Sequence, residues 1–279
     1  MRLCSIASGS SGNCIYVGSE ATHLLVDVGI SGKKAEAGLN SLGLTGRDLD
    51  GILVTHEHMD HVAGLGVMAR KYEVPIYATT GTLEEIRKMG NLGKIDPVLF
   101  REVKEDVKLI IKDLTVNPMK ISHDAAQPVG YRIAYGDKKV GICTDLGVYN
   151  DYTVECLKGM DALLLEANHD VKMLQVGPYP YYLKKRIVSR SGHLCNTDAA
   201  DFLATHYHSG LEYVFLCHLS RENNTPELAY KTIEERLSQS HIQVGRDVQL
   251  VPLRRNTASE VYVFPVENPV SCPEQMRLF

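Results

Sequence analysis

Short apolar runs broken by small polar turns set the rhythm of the first half of this chain. Residues 3–7 and 14–17 flank the tract Ser8-Gly9-Ser10-Ser11-Gly12-Asn13 and read as two strands joined by a tight turn. The backbone N–H groups of that tract could equally cradle an oxyanion. Leu24-Leu25-Val26 predicts a third strand that ends on Asp27 and Gly29, with His23 at its entry facing the surface. A helix is expected over about 33–42, with Gly43 and Gly46 punctuating the passage to Gly51-Ile52-Leu53-Val54, which reads as a buried strand. The spacing of Val62, Leu65, Met68 and Ala69 predicts a helix soon after it. Strands are then expected at 75–78, 109–111, 114–116 and 131–134, with a helix over 82–89. In the second half, strands at 139–143, 162–165 and 213–216 alternate with helices over about 197–207 and 226–238. No fixed-period repeat or low-complexity linker divides the chain, so residues 1–279 are expected to form one α/β domain. The tail 265–279, with Pro269 and Pro273, is expected at the surface or mobile.

Composition narrows the class without naming a reaction. A 279-residue chain with 44% hydrophobic and 23% charged residues is that of a globular protein with a sizeable core. No apolar stretch approaches the ~18 residues of a membrane span, and the polar start is unlike a signal peptide, so a cytoplasmic protein without a membrane partner is expected. Seven scattered cysteines with no Cys-x-x-Cys pair suit free thiols in a reducing compartment and make cysteine a poor candidate for metal ligation. A net charge of -4 does not advertise nucleic acid, so such a substrate would need a local basic surface.

The chemistry concentrates in Thr55-His56-Glu57-His58-Met59-Asp60-His61, directly after the buried strand. Imidazole and carboxylate are the groups by which proteins hold divalent metals. In an extended segment side chains repeat every two residues, so His56, His58 and Asp60 are expected on one side and His61 on the other. One loop cannot close two coordination shells. Three further strands each end on a residue able to bind metal: His123 after 119–121, Asp145 after 140–143, and His218 after 213–217. Asp27, also at a strand end, can cap a turn or hold a ligand histidine in place.

Together these residues resemble the metallo-β-lactamase superfamily, whose hallmark is His-x-His-x-Asp-His. The resemblance runs from Asp27 to His218, and the chain departs nowhere from the ligand pattern. It implies a four-layer αβ/βα sandwich, with two mixed β-sheets flanked by helices and two divalent metal ions at one edge of the sheets. It further implies that one ion is held by His56, His58 and His123, the other by Asp60, His61 and His218, with Asp145 bridging both and Asp27 behind them. Zinc or manganese suits this donor set, and iron is possible.

The superfamily hosts several reactions, so local residues must choose the branch. Glu166, ending 163–165, and His193, in Ser191-Gly192-His193, read as outside the buried core. They resemble the glutamate and histidine of the ribonuclease Z and β-CASP nuclease branches, in which the histidine faces the scissile phosphate and the acid orients it. Tyr179-Pro180-Tyr181-Tyr182-Leu183-Lys184-Lys185-Arg186 interleaves rings with cations, which suits stacking and phosphate contact; a solvated amphipathic helix is the plain alternative. Ser10 and Asn13, Asn168, and Ser220 with Asn223 and Asn224 resemble local signatures of the WalJ (YycJ) family of bacterial 5′→3′ DNA exonucleases. That resemblance implies a two-metal exonuclease on double-stranded DNA, with a possible part in DNA or mismatch repair. In it Asp60, Asp145, Glu166 and His193 are catalytic, Lys184 and Lys185 contact substrate, and the residues after His218 hold a terminal phosphate. The alternatives are a phosphodiesterase for small or cyclic nucleotides, an RNA-directed nuclease, and a non-catalytic metal-binding regulatory module. The chain is too short for an inserted β-CASP domain and lacks the long arm of ribonuclease Z.

Overall fold

The computed structural model describes residues 1–267. The strands are β1 (Arg2–Ala7), β2 (Cys14–Gly18), β3 (His23–Val26), β4 (Gly51–Leu53), β5 (Ile76–Ala78), β6 (Phe100–Glu102), β7 (Leu109–Ile111), β8 (Leu114–Lys120), β9 (Val129–Tyr135), β10 (Lys138–Cys143), β11 (Ala162–Glu166), β12 (Tyr213–Cys217), β13 (Gln249–Pro252) and β14 (Tyr262–Val263). They form two mixed sheets, ordered β14-β1-β2-β3-β4-β5-β6 and β13-β12-β11-β10-β9-β8-β7. The helices are α1 (Gly32–Ser41), α2 (Met59–Val62), α3 (Leu65–Tyr72), α4 (Thr80–Lys88), α5 (Asp151–Leu157), α6 (Val171–Val176), α7 (Tyr181–Ile187), α8 (Asn196–His206) and α9 (Pro226–Gln239).

The central strands lack polar alternation because both of their faces are covered. Along β2 and β3, Ile15, Val17, Leu24 and Val26 meet Tyr131, Ile133, Val140, Ile142, Leu164 and Phe215 of the other sheet. The opposite face of the first sheet, with Tyr16, Leu25 and Ile52, packs on Ala35 and Leu39 of α1 and on Leu65 and Met68 of α3. The outer face of the second sheet, with Cys143, Leu163 and Leu165, packs on Phe202 and Leu203 of α8 and Ile233 of α9. Each large side chain buried this way contributes roughly 1.5–3 kcal/mol against the entropy of folding. This is the four-layer αβ/βα sandwich that the resemblance implied.

Several local expectations need correction. The helix expected to run on from Val62 is two helices, because the chain breaks at Gly64 to pack against the exit of β3. Gly64 N–H donates to Val28 O at 2.8 Å, and a Cβ on Gly64 would sit 2.2 Å from Ile30 O. Sequence periodicity also passed over α5, α6, β13 and β14, which are too short to show a period. His23 is half-buried, its ring 2.9 Å from the Tyr16 hydroxyl. Of the tail expectation, only residues 265–267 can be placed; 268–279 lie outside the described residues.

Candidate metal centre and active site

Strand direction assembles the site. β3 runs parallel to β4, and β10, β11 and β12 run parallel to one another, so each group delivers its carboxyl ends to one edge. β8 reaches the same edge because it is antiparallel to β9, which is antiparallel to β10. Asp27, the His56–His61 loop, His123, Asp145, Glu166 and His218 all follow these ends, where α/β sheets place their ligands. Asp27, Asp145 and His218 adopt left-handed backbone conformations, with φ of 60°, 56° and 54°. A left-handed turn in a non-glycine residue stores strain, and here it swings each side chain off its strand into the cluster.

The donor atoms converge. His56 Nε2 and His123 Nε2 lie 3.1 and 3.2 Å from His58 Nδ1. His218 Nε2 and His61 Nε2 lie 3.2 and 3.7 Å from Asp60 Oδ2. Asp145 stands between these sets, with Oδ2 3.0 Å from His61 Nε2 and Oδ1 3.7 Å from His123 Nε2. The far side of each ring fixes its tautomer. His61 Nδ1–H donates to Asp27 Oδ2 at 2.7 Å. Thr55 Oγ1 donates to the same oxygen at 2.8 Å and so accepts from His56 Nδ1–H at 3.0 Å. His123 Nδ1–H donates to Gly192 O at 3.1 Å, and His218 Nδ1–H to Glu166 Oε1 at 2.8 Å.

With the outer nitrogens protonated in this way, the inner ones present lone pairs to one another and to carboxylates. Asp145 Oδ2 is buried without a hydrogen-bond donor. Such an arrangement suits divalent cations, and the trios His56–His58–His123, Asp60–His61–His218 and His56–His61–Asp145 are each compact enough to hold one. The described cysteines are free and buried, and none joins these groups.

Electrostatics point the same way. Burial disfavours charge on His61 and His218, yet Asp145 and the neighbouring carboxylates outweigh it, raising His61 well above the usual imidazole range and His218 to about 10. Asp145 is held well below the carboxylate range by His218 and His61 although burial opposes this. His56, by contrast, is pushed well below the imidazole range by burial and by His61. Buried carboxylates at this edge thus demand positive charge, which protons or metal ions supply in competition.

Glu166 organises the second half of the site. Its Oε1 accepts from His193 Nδ1–H and from His218 Nδ1–H, both at 2.8 Å. Its Oε2 accepts from the N–H groups of Leu146 and Leu194 at 2.7 and 3.2 Å. The expectation that Glu166 lies outside the core is wrong: it is fully buried, because four donors satisfy its oxygens. His193 retains 17% side-chain exposure at the mouth of the cluster. Burial lowers its affinity for a proton, but Glu166 more than compensates and its pKa is raised.

Other sequence expectations fare unevenly. Asp60 does not continue a two-residue alternation, because Met59–Val62 is helical; that turn brings His61 back toward His56, their ring centroids 4.1 Å apart. Asn13 lies in the cluster, its Nδ2 3.2 Å from His61 Nε2, while Ser10 is exposed. Asn168 is buried and donates to His218 O at 2.9 Å. Asn224, expected to meet substrate, is buried and spent on the backbone carbonyls of Ala167 and Asn168 and on Asn196. Asn223 is equally buried, packed under Gly177, and Ser220 Oγ accepts from Asn223 N–H at 3.3 Å. These three brace the loop after His218 instead of facing outward. Lys184 donates to Gln175 O at 2.8 Å and Lys185 lies 4.8 Å above the Tyr181 ring.

Sequence reasoning passed over three contributors. Thr55 links Asp27, His56 and His61 through one hydroxyl. Ser8 Oγ accepts from His218 N–H at 3.0 Å, pinning the last ligand candidate to the opening tract. Asp124 pairs with Arg186 of α7 through two contacts of 2.5 and 3.0 Å and lies 3.4 Å from His123 Nε2. Thr55 and Asp124 each had a local signal, their places beside His56 and His123.

The fold and this donor cluster define a metal-dependent hydrolase. The chain belongs to the metallo-β-lactamase superfamily: residues 22–218 match the family described as a beta-lactamase superfamily domain. It is 41% identical over 246 residues to the exodeoxyribonuclease YycJ of Bacillus anthracis, covering 88% of this chain and 92% of that protein. It is 38% identical over 254 residues to the exodeoxyribonuclease WalJ of Streptococcus pneumoniae, covering 91% of this chain and 94% of that one. Among solved structures, the metallo-beta-lactamase fold protein YhfI of Bacillus subtilis superposes with a TM-score of 0.68 at 18% identity, covering 94% and 98% of the two chains.

Proposed function

We propose that this protein is a two-metal exonuclease acting on the end of double-stranded DNA, with 5′→3′ polarity and a role in DNA repair. The observation that carries the reading is His193, partly open at the mouth of a buried cluster of metal donors, with its inner nitrogen fixed by Glu166. The names of the two relatives support DNA as the substrate. In this reading His56, His58 and His123 would hold one ion and Asp60, His61 and His218 the other, with Asp145 available to either set and Asp27 orienting His61 from behind. Zinc or manganese fits this donor set, with iron a further option. Bound there, such ions would acidify water and offset charge on the phosphoryl oxygens.

The chain's own residues do the rest. Asp60 and Asp145 orient the attacking water. Glu166 accepts from His193 Nδ1–H and favours the imidazolium, whose Nε2–H faces the substrate and gives its proton to the leaving oxygen. The exposed rings of Tyr181 and Tyr182, beside Lys184 and Lys185, offer stacking and phosphate contacts on α7. Arg186 ties that helix to Asp124, next to His123.

The test is the purified protein with manganese or zinc and duplex DNA labelled at either end. Loss of label from the 5′ end first, abolished by chelation, is the expected result; no hydrolysis of any DNA with either metal would sink the proposal. The second reading, a phosphodiesterase for small nucleotides, is separated by salt, since turnover of a polymer weakens steeply as salt rises and that of a small substrate much less. An RNA-directed nuclease would prefer the matched RNA duplex in the same assay.

A further inference from the structure

A second concave site is lined in part by Gly29, whose backbone packs against that of Asp60. A cavity of about 590 Å³ is lined by Ser11, Ser31, Lys34, Arg221, Arg255 and Asn256. The two sites share a wall: Asn13 N–H donates to Asp60 O at 2.8 Å, and a Cβ on Gly29 would sit 1.6 Å from the same oxygen.

The cavity is cationic without internal compensation. Among the described residues neither Lys34 nor Arg255 has an acidic partner within ion-pair distance, and Arg221 has only Glu222, at 3.4 Å on the open surface. Three cations against that one carboxylate, which does not line the cavity, leave an excess of two positive charges. Arg255 is held in place, its guanidinium donating to Ser220 O at 3.0 Å and its stem lying along the Ser8–Asn13 tract. A Cβ at Gly9 would meet Arg255 Cγ at 2.5 Å, and Gly9 has a φ of 152°, so glycine serves both the turn and the approach. Partial burial, and then the charge of Arg221, lower the pKa of Arg255. The amino end of α1, capped by Ser31, opens onto the same space and adds its dipole.

Like charges gathered around a concavity repel one another, an anion between them relieves that repulsion, and a planar guanidinium fork matches phosphate. A backbone phosphodiester carries one negative charge; a terminal phosphomonoester carries nearly two, which matches the excess here. We infer that the pocket of Lys34, Arg221 and Arg255 takes the terminal phosphate of the nucleic-acid strand whose adjoining bond lies at the metal cluster. The inference rests on the nuclease reading and deepens it. It also moves the end-binding role from Ser220, Asn223 and Asn224, which are buried, to side chains that line an open cavity.

The experiment measures binding of the metal-loaded protein to duplexes whose first linkages are phosphorothioates, which resist hydrolysis. The ends carry a 5′-phosphate, a 3′-phosphate or hydroxyls only. A terminal phosphate is expected to tighten binding by about tenfold, the size of one charge-assisted hydrogen-bonded contact. Which of the two phosphorylated ends is preferred identifies the strand polarity. Arg255→Gln and Lys34→Gln should each erase most of that preference, while Lys158→Gln, a like change of charge beside a different cavity, should keep it. Equal binding of all three duplexes, or loss of the preference in Lys158→Gln as well, overturns the pocket. Hydrolysis of unmodified DNA without an end preference defeats this inference alone; an end preference without hydrolysis defeats the nuclease reading instead.

Discussion

The two sheets contribute to the site in opposite styles. The first supplies a contiguous block, His56, His58, Asp60 and His61, from one loop after β4. The second supplies single residues from separate strand ends: His123, Asp145, Glu166 and His218. A contiguous block keeps its internal spacing through local geometry, with Asp27 and Thr55 orienting His61 and His56. The scattered residues meet only if β8, β10, β11 and β12 hold their register, and their side chains are accordingly braced. Glu166 accepts four hydrogen bonds, and Asp145 and His218 sit in left-handed turns. A site split this way concentrates its fragility on the second sheet.

Substitutions can break or sharpen that contrast. The largest effect is expected from Asp145→Ala, because its two oxygens face both donor sets; turnover should fall to background and metal content should drop, as elemental analysis would record. His193→Ala should lower kcat by about 10²–10⁴-fold, the range for a lost general acid, with metal content unchanged. If that variant degrades DNA at the parent rate, the proton-donor role is gone. Glu166→Gln should move both readouts, since its oxygen holds His193 and His218 together. It should weaken metal affinity by roughly 10–100-fold as well as slow turnover, and a loss confined to kcat would show that His218 needs no such brace.

On the first sheet, Gly29→Ala should cost about 1–3 kcal/mol of stability, read as a lower thermal midpoint, because the new methyl meets the Asp60 backbone. An unchanged midpoint would mean that the loop gives way freely. The smallest effect is expected for Lys185→Gln, which should weaken duplex binding uniformly and reduce the slope of log affinity against log salt by at most ~1.

Much of the fold was legible because the core strands are continuous apolar runs, and 3–7, 24–26, 162–165 and 213–216 lie in strands as expected. Short elements such as α5 and β14 were not, since too few residues carry their pattern. In the site, the histidine block was visible as a block, but the helical turn at Met59–Val62 overrode the alternation expected of an extended loop. Glu166 was recognised as a partner of His193, yet its burial and its second bond to His218 were not, because neither is a property of local sequence. Arg255 carried no signal at all: it reaches Gly9 across more than two hundred residues of chain.

By itself the sequence determined which chemistry is on offer, because donor type and local spacing are written residue by residue and survive whatever the rest of the chain does. The tertiary structure decided what those donors face. Parallel strands bring their carboxyl ends to one edge, where low dielectric and fixed hydrogen bonds select each imidazole's tautomer. Distances across two sheets, and the burial that gives charges their strength, exist only once the sandwich has closed.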